Sequence, residues 1–481
     1  MGRIALVLCL LMALGGLVRA DEEGGPRRAE TGVVQERQQT RLQPEMDADA
    51  DQPDAEDRFE LLPQPWGRLR LESEAYRLPL RARLFDDSIA PYSRFVAHRG
   101  AGGRVMAFRD TLAPEAPSWP HSYGPWTFFT SLAVSQQYTD NVFFTPSDEQ
   151  REWTTTIIPG LRVEWSRQDF RTALYYGGRY SRPQRFHENQ REDHQVGFLA
   201  EYQVRDSLKA RVENLYGVRS VSADFDGDDY TRYWDNQTLV QLVYSPWQDW
   251  ETDVAYDRYQ ARFRDVTMDN VTINGISAGA ARRILPALWA EGRLRYANVE
   301  NHDVGSTNTD NDIHRASVGL RFEPLAPVEG TVHVGRISKD YDSPQINDED
   351  GLFVKAAISC SPRQWMHIYL TADRSLQETS VTALNQPTGS FSYERTAASL
   401  GARFDVAEQW GFGLMGFYAT DDYARPGDRK DTLRGGTASI FYDLSQRSRV
   451  VLRYQHQTND SNQDLNDFRE NFVSLGCEFR L

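Results

Sequence analysis

The chain has 481 residues, 12% of them aromatic, a net charge of −15 and only three cysteines. The negative balance, with no basic module, excludes a nucleic-acid partner. Three cysteines without ligand spacing exclude a scaffold built on disulfides or zinc.

Residues 1–20 have the order of a secretory signal peptide. Arg3 supplies the positive charge, Ile4–Leu17 the apolar run, and Val18-Arg19-Ala20 a small-residue exit. Cleavage removes Cys9 and leaves Cys360 and Cys477. No later segment is apolar for the roughly 20 residues that a membrane helix needs. Residues 21–62 form an acidic segment, with 13 acidic and 5 basic residues over 21–60 and few apolar ones. Such a composition cannot bury a core, and a disordered tail is expected. Residues 63–125 change character. Nine arginines lie between Arg68 and Arg109, interleaved with Leu69, Leu71, Leu78, Leu80, Phe85, Phe95 and Phe108. Pro63, Pro65, Pro79 and Pro91 break any long regular element. Two readings stand: a periplasmic or lumen-plugging segment, or an ordered linker on a barrel rim.

From Trp126 to Leu481 the pattern is alternation. Trp126, Phe128, Thr130, Leu132, Val134, Gln136 and Tyr138 share one face of the first strand. At the other end, Val473, Leu475, Cys477, Phe479 and Leu481 alternate with Ser474, Gly476, Glu478 and Arg480. Side chains of a strand point to opposite faces in turn, so each such segment offers hydrocarbon to one side and water-compatible groups to the other. Short turns near 167–169, 245–247, 285–287, 324–327, 361–363, 406–409 and 444–447 alternate with long polar connections near 183–192, 222–234, 301–312, 340–350, 379–391, 421–431 and 459–469. This is the signature of an all-β, closed antiparallel transmembrane β-barrel of about 18 strands, following the disordered acidic tail. An even strand number leaves both ends in the periplasm. Either parity fits Val271–Arg283, and Pro159 within a strand predicts a bulge. Trp126, Trp165, Trp247, Trp250, Trp289, Trp365 and Trp410 fall at the short-turn ends of strands. Indole favours the headgroup boundary, so these seven are the expected interfacial girdle.

The run Tyr138–Phe144 (Y-T-D-N-V-F-F), followed by Ile157-Ile158-Pro159-Gly160-Leu161 and Tyr175–Tyr180, resembles the putative β-barrel porin-2 family of Gram-negative outer-membrane proteins. The resemblance covers roughly residues 126–481. It implies an outer-membrane location, a link with exopolysaccharide or capsule export, and no catalytic residues.

With the apolar parity on lipid, the other parity lines the interior. There Arg162, Arg171, Tyr175, Arg179, Arg211, Arg293, Arg295, Arg321, Tyr369, Arg395, Arg403, Arg449 and Arg453 form a candidate lumen track. Arginine pairs bidentately with carboxylates, so the set suits an acidic or hydroxylated polymer. The same residues equally serve as ion-pair ladders that hold the wall. Asp224–Asp229 has the carboxylate spacing of a calcium loop, but its glycine is misplaced and no helices flank it, so a solvated loop tip is expected. The histidines are scattered and no glycine-flanked serine stands out as a nucleophile, so neither an enzyme nor a cofactor or metal site is expected. The expected function is an outer-membrane channel, most readily the conduit that exports a surface polysaccharide. A general diffusion porin and a closed structural or adhesive barrel are the alternatives. The expected partners are outer-membrane lipid and lipopolysaccharide, the polysaccharide, and periplasmic export components.

Overall fold

The computed structural model describes residues 121–480, except 143–146, 148, 168, 188–189, 223–229, 264–269, 303–309, 326–327, 345, 364, 379–391, 424–428, 446 and 463–466. The signal peptide, the acidic segment, nearly all of the arginine-rich segment and the Asp224–Asp229 loop lie outside the described residues. A short strand, β1 (His121–Tyr123), turns at Gly124-Pro125 into β2 (Trp126–Thr139). There follow β3 (Glu152–Arg167), β4 (Phe170–Pro183), β5 (Arg191–Arg205), β6 (Leu208–Ser222) and β7 (Tyr230–Trp247). Next come β8 (Trp250–Phe263), β9 (Asn270–Leu285), β10 (Leu288–His302), β11 (Asn311–Leu325), β12 (Val328–Tyr341) and β13 (Glu349–Arg363). The last are β14 (Met366–Glu378), β15 (Ser392–Asp405), β16 (Trp410–Tyr423), β17 (Lys430–Ser445), β18 (Ser448–Ser461) and β19 (Phe468–Arg480).

Each strand from β2 onward pairs antiparallel with the next, and β19 returns to β2, from Phe472 opposite Thr139 to Arg480 opposite Ser131. Eighteen strands therefore close on themselves, as the alternation predicts. A closed ladder leaves no backbone edge unpaired, which is the condition for β structure in hydrocarbon. The alternation is visible in burial. Along β16, Phe412, Leu414, Gly416 and Tyr418 are exposed, while Gly411, Gly413, Met415, Phe417 and Ala419 are buried. Cys360 and Cys477 are free thiols on the outward parity.

Two local readings are resolved. In Val271–Arg283, Val271, Ile273, Gly275, Ser277 and Ala281 face inward, and Ile276, Ala278, Ala280 and Arg282 face out. At Pro159 the predicted bulge is absent. Ile157 opposes Tyr180 and Gly160 opposes Gly177, so the ladder to β4 skips two pairs without changing register. Proline has no amide to donate, and here it costs ladder bonds on one side only, since Leu132 still opposes it on β2. The register shifts lie instead beside the short turns, at Gln203/Arg205, Tyr244/Trp247, Leu288/Trp289, Phe322/Leu325, Cys360/Arg363 and Asp443/Ser445. Bulges raise twist and suit a barrel rim.

The T-D-N step at the end of β2 ties the seam. Thr139 Oγ1 donates to Glu470 Oε1 at 2.8 Å, across 331 residues of sequence. Asn471 donates its backbone amide (2.7 Å) and its side-chain amide (2.6 Å) to the Asp140 carboxylate. The Asn141 side-chain amide donates to the Arg469 carbonyl at 3.0 Å. Hydrogen bonds to a charged group contribute about 1.5–3 kcal/mol each. Asp140→Ala is therefore expected to lower the temperature at which the folded barrel band converts to the unfolded band on a detergent gel. Asn471→Ala should give much the same shift, and the double variant less than the sum of the two.

Candidate functional site: the inner wall

Outward and inward faces carry different chemistry at different depths. On the outside, Trp126, Trp247, Trp250, Trp365 and Trp410 are exposed at the short-turn rim, and Trp165 stacks between Trp126 (6.4 Å) and Phe170 (5.4 Å). These six lie where the girdle is expected. Trp289 does not. It is buried on the inward parity, opposite Arg321 on β11, and lies beneath the guanidinium groups of Arg321 and Arg283, each 4.7 Å from its ring. Along β10 it shares the parity of Glu291, Arg293 and Arg295, which turns it inward. A second outward girdle, at the long-loop rim, includes Trp153 against Tyr138 (4.9 Å) and Trp234 against Tyr216 (6.2 Å). Tyr176–His194 and Tyr296–His314 pairs continue it. Phe143 lies outside the described residues. Trp153 and Trp165 stand at the two ends of β3. A strand rise of about 3.3 Å and a tilt near 40° put the girdles about 30 Å apart, the height of a membrane's apolar band.

Inside, the short-turn half is ionic. Arg162 pairs with Glu164, which also accepts from Arg171 at 3.3 Å, and Arg171 lies 3.9 Å from Glu201. Arg211 bonds Glu213 at 2.6 Å. On β8–β12, Arg293 bonds Asp253 (3.2 Å) and Arg295 bonds Asp257 (2.6 Å). Arg321, 2% exposed, reaches Glu291 at 2.9 Å and Glu251 at 3.5 Å, and His333 Nε2 lies 3.4 Å from Glu291. Across the barrel, Arg403 bonds Asp405 (3.1 Å) and Arg449 bonds Asp443 (2.7 Å), and both flank the Phe441 ring. Nearer the long loops, Arg395 bonds Asp421 at 3.0 Å and Arg179 donates to Ser181 at 3.2 Å. Arg453 is buried on β18, with Ser474 opposite it on β19. Most arginines of the candidate track thus already hold a carboxylate, set two residues along the same strand, on a neighbouring strand, or, for Arg293 and Arg295, two strands away across β9.

The two tyrosines lie along the wall. Tyr175 opposes Gly197 and Tyr369 opposes Gly401. A Cβ added at Gly197 would fall inside the Tyr175 ring, so the glycine is the seat that lets the ring lie flat. Gly411 seats Phe441 in the same way. The track residues stand on strands all round the barrel in three groups, on β3–β6, on β10–β11 and on β14–β18, rather than in one line.

The long-loop half of the interior differs, and the sequence reading missed it. Tyr233, Tyr259, Val271, Ile273, Val299 and Ile313 are 0–3% exposed and form a continuous apolar patch with Ala261, Ala297, Ile337 and Phe353, across β7–β13. A second patch joins Met415, Phe417, Ala419, Leu433 and Phe468 on β16, β17 and β19. The lumen is therefore zoned, ionic towards the short turns and apolar on two arcs towards the long loops.

Residues 287–481 match the model of one protein family, described as Putative beta-barrel porin 2. Over that span the chain is similar to β-barrel porins. The match runs from the turn before β10 to the last residue. Among solved structures, Pseudomonas aeruginosa OccK2 (OpdF) is 13% identical, covering 73% of this chain and 97% of its own, with a TM-score of 0.43. A BenF-like porin from Pseudomonas fluorescens Pf-5 is 11% identical, covering 73% and 97%, with a TM-score of 0.41. Pseudomonas aeruginosa OpdL is 12% identical, covering 74% and 99%, with a TM-score of 0.42. No curated protein matches the chain.

The zoned wall makes two expectations measurable. Arg321→Met leaves Glu251 and Glu291 buried without their shared cation, a loss of about 3–5 kcal/mol. It should therefore lower the urea midpoint of the barrel, with Glu291→Gln in the Arg321→Met background recovering part of the loss. For the tryptophans, lipid with brominated acyl chains should quench the outer girdle and spare Trp289. Trp289→Phe is then expected to raise the quenched fraction of the emission, and Trp410→Phe to lower it.

Proposed function

We propose that this porin-type barrel is the outer-membrane conduit through which a surface polysaccharide leaves the cell. The observation that carries the reading is the internally neutralised ionic wall. A small-anion porin works by presenting uncompensated cations to its solute. Here a ligand carboxylate would have to displace a carboxylate already in place, and buried partners hold strongly. A chain of hydroxyls needs no such exchange. It makes neutral hydrogen bonds with the paired Arg–Asp and Arg–Glu units while their charges stay matched. Rings such as Tyr393 and Tyr423, stacked with centroids 5.0 Å apart near the long-loop end, offer apolar faces that suit the C–H faces of sugar rings. An 18-strand wall has room for an aqueous bore. The resemblance of the first hairpin implies a link with export, and the family match over residues 287–481 supports the coarser reading of a porin. Lipopolysaccharide at the outer girdle and periplasmic export components at the short-turn rim are the partners that such a conduit requires.

Removing the gene from its host is expected to abolish the surface polysaccharide and to leave uptake of small solutes unchanged. Purified protein lacking residues 63–120 should show, in a planar bilayer, a current that a neutral polysaccharide interrupts. Polysaccharide on the surface of the deletion strain, together with a large constitutive current in the bilayer, would replace this reading with a general diffusion porin.

A further inference from the structure

The way the chain enters the wall says where the segment before it must run. β1 pairs with β2 through His121–Phe128, Ser122–Thr127 and Tyr123–Trp126. The turn between them is Gly124-Pro125, with Gly124 at φ 59°, where a glycine is needed, and proline fixing the next residue. The other edge of β2 is taken at the same residues by β3, with Trp126 opposite Trp165 and Phe128 opposite Val163. So β1 occupies the edge that β19 uses further along, and both run in the same direction. Arg480 stands level with Ser131, and His121 level with Phe128. A chain approaching His121 within the wall would meet the end of β19. It leaves the wall instead, and on the lipid side its amides would have no partners. The lumen side remains.

A second observation is independent of the first. A sheet face is buried only against another layer. The apolar patch on β7–β13 is 0–6% exposed. The strand–strand backbone contacts are overwhelmingly between neighbours in the barrel. Among the described residues every long strand belongs to the wall, and none forms a second layer.

We propose that residues 63–120 fill the lumen, with Leu78, Leu80, Phe85 and Phe95 among the side chains against the apolar arcs and the arginines among the inner-wall carboxylates and tyrosines. The segment has the two chemistries that the zoned wall asks for, since it holds nine arginines against six acidic residues with apolar residues between. Its reach is ample, because 58 extended residues span on the order of 190 Å. The inference concerns what occupies the bore and does not depend on what the bore passes.

The test is limited trypsin digestion of the full chain, folded in detergent, read by mass spectrometry. The nine bonds after Arg68 to Arg109 are expected to be cut at least about tenfold more slowly than in the heat-denatured chain, as cleavage follows the open population. A variant charged at the apolar patch, Ile273→Asp with Val299→Asp, should release that protection while the barrel band stays folded. Should that variant fail to fold, Leu71→Cys and Phe85→Cys, each in a Cys360→Ser, Cys477→Ser background, supply the second measurement. A bulky membrane-impermeant maleimide should label them in the denatured chain and not in the folded one. Cleavage or labelling of the folded wild-type barrel at the denatured rate would place the segment outside the lumen and overturn the proposal.

Discussion

In hydrocarbon, a backbone amide or carbonyl without a partner costs several kilocalories per mole, and no water is there to supply one. That constraint shapes this chain more than any side chain does. It demands that each strand find a neighbour on both edges, and so that β19 return to β2. It also explains why Pro159 is tolerated only where the ladder breaks for two pairs and then resumes in register. Once the ladder is closed, alternation does the rest. Every second side chain meets acyl chains, and the others are held inside at close quarters.

Those inner groups are governed by a second rule, that a buried charge needs a partner within reach. The wall meets it locally. Arg162 with Glu164, Arg211 with Glu213 and Arg403 with Asp405 stand two residues apart on one strand. Arg321 joins β11 to Glu251 on β8 and Glu291 on β10, with Trp289 beneath it. The glycines opposite Tyr175, Tyr369 and Phe441 do similar work for rings, seating them along the strand instead of across the bore. The lumen track inferred from residue types is therefore a wall whose charges answer one another.

The architecture was legible in the sequence because the period of two, the alternation of short and long connections and the tryptophans at strand ends all report the same geometry. What escaped was whatever depends on neighbours distant in sequence or on one residue of register. Trp289 stands at a strand end like the girdle tryptophans, but its parity with Glu291, Arg293 and Arg295 on β10 turns it inward. Nothing local in the T-D-N step says that its side chains bond Arg469, Glu470 and Asn471 of the last strand. The inner apolar arcs were invisible because Tyr233 or Val271 looks the same whether it faces lipid or lumen. Only the paired neighbours fix the face.

The seam also sets the order in which this wall can be made. The contacts between Thr139–Asn141 and Arg469–Asn471 join segments 328 to 331 positions apart. Every other neighbouring pair of long strands is consecutive and can zip as a hairpin soon after both halves exist, but this one carries nearly the largest loop-closure entropy the polypeptide allows. Until the last dozen residues arrive, the growing sheet has two raw edges, each a template for the wrong partner. Cyclisation is therefore the final and slowest event, and the assembly intermediate that most needs guarding is a nearly complete, still open ribbon.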